Sequence, residues 1–219
     1  MVVRCLPVAI VVMAVVCSGG CGAKPVSEYI DQGVYADGQY RNTYFDFVAD
    51  IPAEYVVASA ETLKATAEAG RQLIEAADGS AATKAAVRAS DVTTMQLFLA
   101  SKYEIGHPVA FNPNVVCLVE NLSGAPGVKK PGDYLFHAMN LLKTTGLNYS
   151  VDMEFTDLDI NGRTFSVARA ELDNPPLLIK QEYVVTLTQG FALAFIATYE
   201  NDDDHTELMN IISSYRPAD

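Results

Sequence analysis

The chain predicts an α+β layered sandwich, in which helices cover a largely antiparallel sheet. Three observations carry this reading. From Tyr149 onward the apolar residues recur with period two and are broken by two-residue turn signals, which is the pattern of adjacent antiparallel strands. Before that, capped stretches with helical spacing separate shorter apolar runs. Half of the 219 residues are hydrophobic and only 19% are charged, enough apolar surface for a sizeable core. No internal repeat or interdomain linker is visible.

Taken in order, Asp37-Gly38 between Tyr35 and Tyr40 marks a hairpin turn. Phe45, Phe47, Ala49 and Ile51 alternate with polar or small residues, predicting a half-buried strand that Pro52 ends. Ser59 is a suitable N-cap, and Leu63, Ala67, Gly70, Ile74 and Ala77 follow as one stripe of small residues suited to close packing on a sheet. Gly79 closes that helix, and Ser80 caps a second one to about Ala89. Strands follow through Met95, Leu97 and Leu99 and through Val115 to Val119, the latter apolar on both faces and therefore central. Gly124 to Gly132 is the clearest loop, with a helix from about Asp133 to Gly146, a residue suited to a left-handed cap. Val151, Met153 and Phe155 then alternate as one strand. Asn161-Gly162 turns the chain into Phe165 and Val167, and Tyr183, Val185 and Leu187 form the next strand. Gln189-Gly190 turns into Phe191 to Tyr199, apolar on both faces and expected to be internal. Leu208, Ile211, Ile212 and Tyr215 mark a terminal helix.

The N-terminus has a separate purpose. A basic start at Arg4 precedes an apolar run from Leu6 to Cys17, too short for the roughly 20 residues of a membrane span but right for the core of an export signal. Ser18-Gly19-Gly20 supplies small residues ahead of Cys21, so the segment resembles a bacterial lipoprotein signal, with Ser18 where such signals usually carry Leu. The expected organisation is a signal over 1–20, lipidation at Cys21, a tether over 21–32 and one domain over 33–219. The resemblance implies a diacylglyceryl group on Cys21 and a place on the extracytoplasmic face of a bacterial cell membrane.

Charge and cysteine content narrow the partners. The formal charge of −12 includes Arg4, which leaves with the signal. The body therefore lacks the basic patches that nucleic acid requires, and anionic headgroups repel it. Membrane residence then rests on the anchor. Cys5 and Cys17 leave with the signal and Cys21 carries lipid, so Cys117 stands alone in an apolar strand, read as a small buried hydrophobe rather than a nucleophile.

The entry Gly33-Val34-Tyr35, Tyr40-Arg41-Asn42-Thr43-Tyr44-Phe45-Asp46-Phe47 and Ile51-Pro52 resembles the opening of PsbP/DcrB-like bacterial lipoproteins. Asn161-Gly162-Arg163, Gln181-Glu182-Tyr183 and the closing Ile211-Ile212-Ser213-Ser214 are similar to that group too. Tyr55 lies near the place where its members commonly carry Trp. The resemblance implies an α/β/α sandwich with a central antiparallel sheet and assigns no activity. Members that act in photosystems bind protein partners.

Few residues carry a chemical motif. Asp157, Asp159, Asn161 and Gly162 match the first half of a calcium loop, but position 12 is Ala168 where a bidentate acid is needed. A hairpin turn is the favoured reading, with weak divalent-ion contact as the alternative. Asp202-Asp203-Asp204-His205 offers ligand types, yet precedes the last helix, where acids cap the chain and meet the positive end of the dipole. His137 reads as a helix-surface residue and His107 as a loop residue without an acid partner. Tyr29, Tyr35, Tyr40 and Tyr44 form either a gripping surface for a partner or sugar, or ordinary hairpin tyrosines, the favoured reading. No nucleophile elbow, zinc-protease motif or phosphate loop is present. The sequence thus predicts a lipid-anchored extracytoplasmic binding or adaptor domain, not an enzyme, with no cofactor or metal and with a protein partner in the envelope. The alternatives are an envelope hydrolase with a spatially assembled site, and a small-ligand receptor working with a membrane transporter.

Overall fold

The computed structural model describes residues 25–78 and 80–218. Cys21, the apolar run before it and Gly79 lie outside them. The α+β class is as the sequence predicts, with every strand pair among the described residues antiparallel.

Packing begins earlier than Gly33. A 3-10 turn at Val26–Glu28 places Val26 and Ile30 in the core, so part of the expected tether belongs to the domain. The two side chains lose their apolar surface to the core, and the backbone between them and Gly33 is held from the strand at Gln39–Asn42. There the Tyr40 hydroxyl donates to the Gln32 carbonyl, and Asn42 Nδ2 donates to the Asp31 carbonyl at 3.0 Å.

Two sheets replace the single one expected. The smaller contains β1 (Val34–Ala36), β2 (Gln39–Asn42) and β3 (Phe47–Asp50), with a C-terminal strand, Arg216–Pro217, pairing with β3. Asp37 and Gly38 turn β1 into β2 at φ of +53° and +77°, as the Asp-Gly pair predicts. Phe45, Phe47, Ala49 and Ile51 are all buried, but they pack face to face on the larger sheet instead of extending it edge to edge. Pro52 ends this layer, and the chain crosses to the larger sheet at β4 (Val56–Val57).

The larger sheet adds β5 (Thr94–Ser101), β6 (Asn114–Asn121), β7 (Tyr149–Val151), β8 (Thr156–Ile160), β9 (Arg163–Asn174), β10 (Leu177–Thr188) and β11 (Phe191–Tyr199). With the Arg216–Pro217 strand as β12, the order is β4-β5-β6-β11-β10-β9-β7, and β8 also pairs with β9. As expected, β6 and β11 are internal, and every residue of β11 is buried. The run from Tyr149 to Phe155 is not one strand. β9 is twelve residues long, so β7 pairs with its second half and β8 with its first. The chain between them steps along that edge. Val151, Met153 and Phe155 still face the helices, which is why they alternate without a continuous ladder.

Helices α1 (Ala60–Ala77), α2 (Ala81–Thr93) and α3 (Pro131–Thr144) cover one face. Helix α4 (Asp202–Ser213) shares the other with the small sheet. The Ser59 and Ser80 hydroxyls accept from the Thr62 and Thr83 amides, as caps should. The α1 stripe is narrower than predicted. Leu63, Thr66 and Ile74 are its buried residues, and a side chain at Gly70 would meet open space. Between the sheets the rings of Phe47, Phe98, Phe165, Phe195 and Tyr215 form one cluster. Tyr215 sits just past α4 and stacks on Phe47 at 5.3 Å.

Candidate functional site

The end of β6, the loop after it and the β10–β11 turn meet at one rim of the larger sheet. Gln189 and Gly190 make that turn at φ of +50° and +82°, the left-handed pair that a two-residue hairpin needs. The Leu122 amide donates to the Gly190 carbonyl at 2.9 Å, tying the loop after β6 to the turn. Tyr29 reaches this rim from the N-terminal turn, and Tyr44 from the connection between β2 and β3. Together they enclose a shallow cleft of about 570 Å³, with Asn121, Ser123, Lys129 and Gln189 among its polar walls.

Both rings are held. Asn121 Nδ2 donates to the Tyr29 hydroxyl at 2.8 Å, and Asn121 Oδ1 accepts from the Ser123 amide at 2.8 Å. Gln189 Nε2 donates to the Tyr44 carbonyl at 2.9 Å. The Tyr44 ring meets Phe45 edge-on at 4.8 Å, and Phe45 meets Phe191 the same way at 5.3 Å. Tyr29 and Tyr44 remain 45% and 38% exposed, so the cleft presents two fixed aromatic faces flanked by amide and hydroxyl groups. Such a surface binds with little loss of side-chain entropy. Its described walls carry no histidine, cysteine or carboxylate.

The sequence cluster of tyrosines therefore divides. Tyr40 is a core residue, Tyr35 lies exposed on β1, and only Tyr29 and Tyr44 share the cleft. Asn161-Gly162 is the β8–β9 hairpin turn, with φ of +51° and +83°. Asp157 accepts from Ser166, Asp159 from the Gly162 amide, and Asn161 donates to the Tyr215 carbonyl. These three oxygen-bearing side chains thus serve three separate bonds, and Ala168 is buried in the core. Asn201 is the cap of α4, accepting from the Asp204 amide, while Asp202, Asp203 and Asp204 fill its first turn. Among the described residues no group of three or more His, Cys, Asp or Glu side chains is gathered for a metal ion. His137 is exposed beside Phe136, and His107 stacks on Tyr103 at 5.4 Å. Cys117 is buried in the inter-sheet core, and burial pushes its thiol well above the ordinary range. Cys21 lies outside the described residues.

A charged cluster at the N-terminal end of α4 escapes the sequence reading. Glu182 is 3% exposed yet accepts from Arg169 Nε at 2.8 Å and faces His205 Nε2 at 3.3 Å. His205 also packs on Tyr199 at 4.5 Å, and burial pushes that phenol up to about 12. On the other flank of α4, Lys102 Nζ meets Glu207 at 2.6 Å and Tyr55 donates to the same carboxylate at 3.0 Å. The Lys102 hydrogen bond, then that of Tyr55, hold Glu207 below the usual carboxylate range. These contacts clamp α4 to the residue after β5, to β10 and to the segment after β3. One signal was available: Glu182 shares the inward phase of β10 with Val184. Its partners come from β9 and α4 and could not be read locally.

No family model and no curated protein matches the chain. Among solved structures, the solution structure of cyanobacterial PsbP (CyanoP) from Synechocystis is similar over 91% of this chain and 98% of that one, at 10% identity and a TM-score of 0.48. The crystal structure of LpqN, involved in cell envelope biogenesis of Mycobacterium tuberculosis, is similar over 88% of this chain and 95% of that one, at 14% identity and a TM-score of 0.41. Neither likeness assigns a site residue or an activity to this chain, whose α+β class rests on its own strands and helices. No described helix is long and apolar enough to cross a membrane.

Proposed function

We propose that this chain is a lipid-anchored, extracytoplasmic binding or adaptor domain without catalytic activity, and that its Tyr29–Tyr44 cleft receives a protein partner in the envelope. The observation that carries the reading is position. Tyr29 lies eight positions after Cys21, and a fully extended chain of that length reaches at most about 29 Å. A lipid on Cys21 therefore holds the cleft close to the bilayer surface, where a membrane-bound partner is met at high local concentration. The acidic body gains nothing from anionic headgroups, so the anchor alone sets this distance.

Fractionation of wild type and Cys21→Ser, with mass spectrometry of the mature N-terminus, tests the anchor. The expected result is a membrane-bound wild type beginning at an acylated Cys21 and a released, folded mutant. A soluble wild type, cleaved by an ordinary signal peptidase near Ala23, would reject lipidation. A mutant still in the membrane and beginning at Met1 would mean an uncleaved anchor. Crosslinking in intact membranes tests the cleft: a partner captured by wild type should be lost from a folded Tyr29→Ala/Tyr44→Ala variant. Capture that is indifferent to both tyrosines would move the interface elsewhere.

A further inference from the structure

The charge of the Tyr29–Tyr44 cleft is opposite to that of the body around it. The chain carries 27 acidic against 15 basic side chains, yet the one charged residue among the cleft's described walls is Lys129. Glu28, Asp31 and Asp46 flank the two tyrosines in sequence but lie outside those walls. Between Asn121 and Pro131 the charged residues are Lys129 and Lys130. Both are exposed, and neither forms an ion pair among the described residues.

The loop that presents these lysines is pinned. The Ala125 amide donates to the Leu122 carbonyl at 2.9 Å and the Val128 amide to the Ala125 carbonyl at 3.0 Å, with Ala125 and Val128 both buried. Asp133 Oδ2 accepts from the Lys129 and Lys130 amides at 3.0 and 3.1 Å. The Lys129 bond, the larger effect, holds that carboxyl below its usual range. Two ammonium groups against this one carboxylate leave the rim positive. The bonds already made within the cleft also leave it rich in donors. Asn121 is committed on both atoms, to the Tyr29 hydroxyl and to the Ser123 amide. Because the Tyr29 oxygen accepts there, its own proton is left for a ligand, beside the Ser123 hydroxyl and the Lys129 ammonium. Gln189 spends its Nε2 on the Tyr44 carbonyl and keeps its Oε1 as an acceptor. Tyr29, Ser123, Lys129 and Gln189 are all exposed, so a ligand reaches each of them.

We infer that the partner segment received by this cleft is acidic: an extended stretch whose Asp or Glu carboxylate meets Lys129 and whose apolar side chains lie on the tyrosine rings. The inference rests on the reading of the Tyr29–Tyr44 cleft as a docking surface. Each part of such a segment has its counterpart. The carboxylate takes charge-assisted hydrogen bonds from donors that no wall carboxylate competes for. A main-chain N–H of the segment donates to Gln189 Oε1. Apolar side chains cover two aromatic faces that are already held in place. Elsewhere the acidic body repels the same segment, so the charge that admits it here also disfavours other docking positions.

The test selects a random peptide library displayed on phage against the full chain, with depletion on a folded Tyr29→Ala/Tyr44→Ala variant. The sequences kept should hold about twice the Asp and Glu content of the starting library. As synthetic peptides they should bind about fivefold more weakly once each Asp or Glu becomes its amide, and about tenfold more weakly to Lys129→Glu/Lys130→Glu. Raising the salt from about 0.05 to about 0.5 M should remove most of the difference between acid and amide. Lys143→Glu reverses an exposed charge in the last turn of α3 and should leave binding unchanged. These lysines are on the surface, so the variants should melt with wild type, and weakened binding then reports the cleft rather than unfolding. Tyrosine-dependent peptides without an acidic excess, amides that bind as well as acids, an equal effect of Lys143→Glu, or N-acetylglutamate competing as strongly as the peptides would overturn the acidic segment while the cleft stands. A selection that yields no tyrosine-dependent peptide would remove the cleft reading itself, and this inference with it.

Discussion

Replacing Phe195 with alanine removes the ring at the centre of the inter-sheet cluster. Phe195 lies on β11 with no exposed surface, and the rings of Phe47, Phe98, Phe165 and Tyr215 surround it at 6.2, 6.3, 6.3 and 6.0 Å. These neighbours come from both sheets and from the segment after α4, so the vacated space cannot close without moving three layers. A buried Phe→Ala change costs about 3–5 kcal/mol, and the enclosure here argues for the upper half of that range. With a urea slope of about 2–3 kcal/mol/M, the midpoint should fall by about 1.5–2 M. Phe47→Ala removes the facing ring on β3 and should lower the same transition. The assay is urea unfolding followed by far-UV circular dichroism and by tyrosine fluorescence, since the chain has no Trp. Coincident single transitions in wild type and both variants are expected, because the small sheet has no core apart from the cluster. Two transitions, with Phe47→Ala shifting one and Phe195→Ala the other, would refute the single domain.

Gly146→Ala should destabilise by about 1–3 kcal/mol in thermal melts, because Gly146 holds φ of +72° and a Cβ there would lie 2.7 Å from the Ala77 carbonyl oxygen; an unchanged melting temperature would disprove the cap. The hydrogen bond from Arg216 holds Asp50 below the ordinary carboxylate range, so its contribution is present above about pH 4 and is lost as pH falls through the lower folded value. Arg216→Gln should therefore reduce the acid sensitivity of β12, read as amide exchange at Arg216–Pro217 neighbours, and an identical pH profile in wild type would contradict the bridge. Millimolar calcium should leave the melting temperature unchanged, whereas a rise that vanishes in Asp157→Ala would overturn the hairpin reading of residues 157–162.

What the sequence disclosed follows the range of the forces involved. Period-two alternation, Asn161-Gly162, Gln189-Gly190 and the Ser59 and Ser80 caps are local, and each stands where its chemistry places it. β6 and β11 were legible as internal because both faces of each are apolar. The small sheet was not legible, because Arg216–Pro217 and β3 are far apart in sequence and the pairing covers two residues. The split between β7 and β8 was hidden because Val151, Met153 and Phe155 keep facing the helices after the ladder ends. Val26 and Ile30 read as tether because two isolated apolar residues set no period. The division of the tyrosine cluster is hidden for a related reason: alternation along β1 and β2 and the bend after them send Tyr40 inward and Tyr44 to the rim, and only the partner surface reveals which is which.

The cleft and its support belong to different parts of the fold, and that division has a physical reason. Binding groups sit on turns and loops, where side chains can face solvent, but their precision comes from the elements on which those turns end. Asn121 closes β6, and Gln189-Gly190 joins β10 to β11, so the two sides of the cleft are the ends of the most deeply buried strands. The Leu122–Gly190 hydrogen bond then links those ends directly. Tyr29 and Tyr44 come from outside that sheet and are positioned on it by two amides, Asn121 at the Tyr29 hydroxyl and Gln189 at the Tyr44 backbone carbonyl. Two aromatic faces supplied by the periphery are thus set at fixed separation by the interior, while the anchor-side chain enters through Val26 and Ile30 on the same core. Under the anchoring proposed for Cys21, a binding surface here would gain from both features: the rigid strand ends would keep its shape, and the short approach from Cys21 would set how far from the lipid it works.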